Sequence, residues 1–136
     1  MNPADAHRLQ EIYRREYRSL LQYAREASPY VARSDRPVLD AVKRITTEET
    51  TVLEAFGEFL EEKRVTHPYL GSFPMQYTDL NFVAIRYLVP KLVADQRIDL
   101  AKLEADRTAT ADAPAQAAIE RLVEVHCRHL KELESI

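Results

Sequence analysis

Glu16, Glu49, Asp95, His126 and His129 are residues of the types that hold metal ions, and each stands where an amphipathic helix should be apolar. In RITTEETTVLEAF, residues 44–56, the side chains of Ile45, Val52, Leu53 and Phe56 recur at helical spacing on one side, and Glu49 falls among them. Glu16 sits likewise between Tyr13 and Leu20. Asp95 and Asp99 interrupt the stripe between Leu92 and Leu103, and His126 and His129 the stripe between Val123 and Leu133. A charge among core residues is costly unless something pairs with it. Carboxylates that neutralise a cation, joined by imidazole nitrogens, form a ligand set suited to iron, manganese or zinc. His126 and His129, three apart, are neighbours on one helix face, as two ligands from one helix require. Two other readings compete. Glu16 or Glu49 could pair with a histidine or with an arginine such as Arg86 in a buried polar network, or the stripes could be rotated so that these groups reach the solvent edge.

The elements that would position them are helices. Glycines are few, and Ala, Leu, Glu, Arg and Lys are abundant, which predicts an all-α chain. The first helix is expected over 4–27, with SPYVARSDR as the connection, and the second over 36–64, opened by Asp35 and Pro37. THPYLGSFPMQY, with two prolines and a glycine, ends the second. A third helix is expected from Thr78 or Asp79 to 109. Pro90 predicts a kink near Arg86 to Pro90, or a start at Pro90 itself. Asp112 and Pro114 open a fourth, to about 135. The midpoints of these spans lie near Glu16, Glu49, Asp95 and His126, so one layer of a four-helix bundle could hold them all. The connection from the second helix to the third, about 14 residues, could extend ~45 Å and run the length of the bundle as a long crossover.

The remaining composition narrows the classes. A chain of 136 residues is the size of one domain, expected to span 1–136, and 46% hydrophobic with 30% charged residues is ordinary for a soluble protein. No apolar run approaches the roughly 20 residues that cross a bilayer. The charged amino terminus lacks the apolar segment of a secretory signal, so the expected location is cytoplasmic. The net charge of -3, with RREYR as a short basic stretch, speaks against nucleic acid as the main partner. Gly57 and Gly71 are the two glycines, which excludes phosphate-cradling loops. Cys127, alone, is read as a packing residue, His67 as packing or capping the connection, and His7 as exposed.

REYRSLLQYAREA (15–27) and ITTEETTVLEAFGEFL (45–60) resemble the first two helices of ferritin-like proteins of the bacterioferritin and rubrerythrin kind, and VHCRHLKELES (125–135) resembles their fourth. The resemblance implies a ferritin-like fold in which glutamates from the first and third helices and a Glu-x-x-His pair from each of the second and fourth hold two metal ions. By position Glu16 and Glu49 match the first two glutamates and His129 the fourth-helix histidine. Val52 stands in place of the second-helix histidine, His126 in place of the fourth-helix glutamate, and Asp95, or Asp99 in an alternative register, nearest the third-helix glutamate. The implied site is then a single-metal site, an unusual two-metal site, or a remnant without metal. With iron, Tyr13 and Tyr17 would be candidates for redox partners, against the commoner role of tyrosine as core filler.

Three functions follow as expectations. The first is a ferritin-like protein that handles a metal, iron foremost, or carries out small-scale oxidation. The second is a helical scaffold that keeps the fold without the chemistry. The third is an interaction protein, with a second copy of the chain as the candidate partner, through the bundle surface or the 67–77 connection, where Tyr69, Leu70, Phe73, Pro74, Met75 and Tyr77 cluster.

Overall fold

Every regular element of the chain is helical. The structure, a computed structural model, describes residues 1–136. It contains five α-helices, α1 (Pro3–Tyr17), α2 (Leu20–Tyr23), α3 (Arg36–Glu62), α4 (Ile85–Ala109) and α5 (Ala113–Glu134), with short 3-10 turns at Arg33–Asp35 and Met75–Leu80. The arrangement is compatible with a helical bundle. No helix is long and apolar enough to cross a membrane.

Two boundaries differ from the sequence expectation. The span expected as one helix over 4–27 breaks after Tyr17. Ser19 caps a new helix by accepting from Gln22 N at 3.3 Å, and Asp95 Oδ2 accepts from Leu20 N at 3.2 Å. These side chains satisfy amides that a continuous helix would have bonded internally. Further along, α4 begins at Ile85, not at Thr78 or Asp79. Its first amide donates to Tyr30 O at 2.8 Å, and Tyr30 N donates in turn to Val83 O at 2.8 Å, so the loop after α2 fixes where α4 starts. Pro90 lies inside α4.

The other ends follow local chemistry. Asn2 caps α1 with Pro3 behind it, and Asp112 caps α5 by accepting from Ala115 N at 3.0 Å. The end of α3 is a Schellman turn: Val65 N donates to Leu60 O at 2.8 Å and Arg64 N to Glu61 O at 3.0 Å, with Arg64 at φ 58° where glycine is usual. Buried Asp5 closes the far end. It accepts from Ala111 N at 3.2 Å, Asp112 N at 3.0 Å and Arg8 Nη1 at 2.9 Å, tying the start of α1 to the α4–α5 turn. Burial opposes its ionisation, but these donors hold the carboxyl below its usual range.

The apolar interior is divided in two. One core gathers Leu20, Leu21, Val42, Ile45, Leu88, Leu92 and Leu133; the other gathers Leu9, Ile12, Leu53, Leu60, Leu103, Ile119 and Leu122. The chain of α3 and of α4 passes from the first core to the second, and that of α1–α2 and of α5 from the second to the first. The connection between α3 and α4 leaves beside the second core at Val65 and arrives beside the first, where Phe73, Tyr77, Leu80 and Val83 pack. The cluster expected at 67–77 is therefore split: Phe73 and Tyr77 pack on Tyr23 with ring centroids 5.2 and 5.6 Å away, while Tyr69 and Met75 are exposed.

Candidate metal centre

Between the two cores lies a polar layer. On each long helix the residues that separate one apolar core from the other are polar and buried: Glu49 between Ile45 and Leu53, Gln96 and Asp99 between Leu92 and Leu103, His126 and His129 between Val123 and Leu133. Glu16 enters from the last turn of α1, just before that helix ends. Glu16, Glu49, His126 and His129 are all at most 1% exposed, and Asp99 6%. Glu16, Asp99 and His126 can bring one ligand atom each within 4.8 Å of one another, a group that could hold a metal ion.

Hydrogen bonds fix which nitrogens face inward. His126 Nδ1 lies 2.6 Å from Gln96 Oε1, an oxygen that only accepts, so Nδ1 carries the proton and Nε2 presents a lone pair. That Nε2 lies 3.0 Å from Glu16 Oε1 and 3.9 Å from Glu49 Oε2. His129 Nε2 donates to Glu48 Oε2 at 2.9 Å, and its Nδ1, 4.0 Å from Glu49 Oε2, is likewise left with a lone pair. A carboxylate or amide behind each imidazole is the arrangement that orients histidine ligands. Glu48 is itself held by Arg44, 3.1 Å away, and its carboxyl sits below its usual range because His129 donates to it. Asp99 is shared: Oδ1 accepts from Arg15 Nε at 3.1 Å, and Oδ2 lies 3.7 Å from His126 Nδ1.

The layer is short of donors. Both oxygens of Glu16 and of Glu49, Asp99 Oδ2, His126 Nε2, His129 Nδ1 and Gln96 Nε2 are buried without a hydrogen-bond partner. All lie in this one layer, whereas buried polar atoms are ordinarily bonded. Glu16, Glu49 and Asp99 are faced by one guanidinium, that of Arg15, which Asp106 shares, so with all three ionised the layer keeps a surplus of negative charge that a cation would offset. The protein alone resists that state. Burial and then the nearby Asp99 charge raise Glu16 well above the ordinary range, and burial, partly offset by His126, raises Glu49 to about 8. The spacing of the lone-pair nitrogens suits a shared ion as well: two atoms bonded to one ion at roughly 2.1 Å lie no more than about 4.2 Å apart, and the separations of 3.0 and 3.9 Å from His126 Nε2 to Glu16 and Glu49 and of 4.0 Å from His129 Nδ1 to Glu49 fall inside that limit.

Asp95 is not part of this layer. It is half-buried and caps α2 through Leu20 N, and Asp99, one helical turn further on, takes the inward place. Arg86 pairs with Asp35 near the surface, so it is not the partner of either buried glutamate, and the group nearest to Glu16 is His126 Nε2. Val52 is half-buried against the second core. Tyr13 and Tyr17 pack against that core too, ring centroids 4.9 Å apart, and burial pushes the Tyr17 phenol up to about 12. Cys127 packs against the same core, His67 Nε2 bonds Gly57 O at 2.8 Å, and His7 is exposed. Gln96 gives no signal in the sequence, because an uncharged amide on a helix stripe is unremarkable until its carbonyl is found on His126. No protein-family model matches the sequence, and comparison with curated proteins and with solved structures returns no match.

Proposed function

We propose that this chain is a ferritin-like protein that binds a divalent metal ion, iron foremost, in the polar layer, and that its role is metal handling or small-scale oxidation. The observation that carries the reading is the set of buried, unpartnered ligand atoms from four helices collected at one level. Glu16, Glu49 and Asp99 would supply oxygen, and His126 Nε2 and His129 Nδ1 nitrogen. This mixed set suits iron better than the all-oxygen sets of magnesium and calcium or the thiolate sets of structural zinc. Bound there, iron would supply one-electron redox chemistry. The protein's own part is to exclude water with the two cores, to hold each imidazole in one tautomer through Gln96 and Glu48, and to keep the carboxyls protonated until a cation replaces the proton. The ferritin-like assignment draws support from the common direction of α3 and α4 between the cores, and from the connection that returns beside them.

A second reading is a metal-free helical scaffold. The 3.0 Å approach of Glu16 Oε1 to His126 Nε2 favours it, since one proton between them would join the pair. Metal analysis of protein from iron-supplemented cells, with titration of Fe2+ into the metal-free protein beside a Glu49→Ala variant, separates the two. Stoichiometric iron in the native protein with uptake weakened at least tenfold in Glu49→Ala supports the metal site. No uptake by the native protein leaves the scaffold.

A further inference from the structure

The ligand atoms are buried, so an ion needs a way in. A pocket of about 350 Å3 between α1, α4 and the 70–77 segment has a member of the layer, Asp99, in its wall; the cavities beside α3 lined by Thr47 and by Val52 have none. Asp99 reaches both sides. Its Oδ1 is held by Arg15 on the pocket side, and its Oδ2, buried without a partner, faces His126. Asp95, one turn earlier on the same face of α4, also lines the pocket, and Lys102, exposed and in no ion pair, stands at its rim. Arg15 bridges two carboxylates. Its Nη2 bonds Asp106 at 2.9 Å independently of the Nε bond to Asp99, and its side chain is 27% exposed.

Resting on the metal-binding reading, we propose that this pocket is the route by which the divalent cation reaches the buried layer, with Arg15 as its gate. In the closed state the guanidinium is the counter-charge of Asp99. An incoming cation takes over that role, and Arg15 stays tethered to Asp106 while Asp99 turns to the ion. The rim carries cationic side chains beside Asp95: Arg14 is paired with Glu11, but Arg18 and Lys102 form no salt bridge. Uptake by this route is therefore slowed by Lys102 and sped by reversing its charge.

The test is stopped-flow absorbance of Co2+ uptake by the metal-free protein. Lys102→Glu is expected to raise the uptake rate several-fold, and Ser72→Trp, which fills the pocket, to lower it at least tenfold; neither changes the amount bound at equilibrium. Thr47→Trp, in the separate cavity of about 510 Å3 beside α3, is expected to leave the rate as it is. Native uptake whose rate is the same in Lys102→Glu and Ser72→Trp overturns the route while leaving the metal site standing. Absence of any uptake by the native protein, against a folded control by circular dichroism, removes the metal reading and the route together.

Discussion

His126 Nε2 lies 3.0 Å from Glu16 Oε1, both atoms fully buried, and no hydrogen bond joins them. Two lone-pair atoms at that distance repel unless a proton or a cation stands between them. Replacing the carboxyl by an amide supplies a fixed donor. Glu16→Gln is therefore expected to stabilise the metal-free protein at pH 7 by on the order of 1–3 kcal/mol, because the amide needs no protonation to be neutral. The same change should abolish tight metal uptake. Urea unfolding of the metal-free variant and metal titration check the two halves, and a less stable variant that still binds would contradict both.

Metal uptake should depend on pH in a definite sense. Burial raises Glu16 and Glu49 above their unfolded values, Glu49 to about 8. A raised folded pKa gives stability that is complete below the unfolded value and is lost as pH rises through the folded one. The metal-free protein should thus be more stable near pH 5 than near pH 8.5. A cation reverses the trend, since it binds the ionised carboxylates and displaces their protons. Affinity should climb between those limits, with proton release measurable by calorimetry in buffers of different ionisation enthalpy.

Glu48 stands behind His129 and does not reach the layer's centre. Removing its charge, Glu48→Gln, keeps an acceptor for His129 Nε2 but weakens the hold on the imidazole and its basicity. The expected result is a loss of roughly tenfold in metal affinity without loss of stoichiometry. Isothermal titration distinguishes this from a change that destroys the site.

Arg64 occupies a left-handed backbone position, φ 58°, at the end of α3. Its side chain takes no part in the turn's hydrogen bonds. Arg64→Gly should raise stability by about 0.5–1 kcal/mol by relieving the steric cost of that conformation. A lower urea midpoint would show that the arginine contributes something the turn does not reveal.

Much of the polar layer was legible because each helix carries a polar residue where its apolar stripe demands otherwise. Glu16, Glu49, His126 and His129 stand out on that ground alone, and the structure brings them to one level. The choice between Asp95 and Asp99 was not legible. The two are one turn apart on the same face and differ in depth along α4: Asp95 meets Leu20 N at the head of α2, whereas Asp99 lies at the level of His126. The break after Tyr17 did leave a trace, since Ser19-Leu20-Leu21-Gln22 has the spacing of a capping box, but the strong periodicity on either side obscured it. The fit of the first helix's midpoint to Glu16 was accidental, because Glu16 lies in the last turn of the helix that actually forms.

The division of the interior into two apolar halves bears on how the molecule comes apart. Three long helices thread both halves, so a melted half would leave each of them fraying at the seam. A cation drawn from the medium would lock that seam, and amide exchange along the middle turns of α3, α4 and α5 should then slow in concert, while the outer turns keep their own pace.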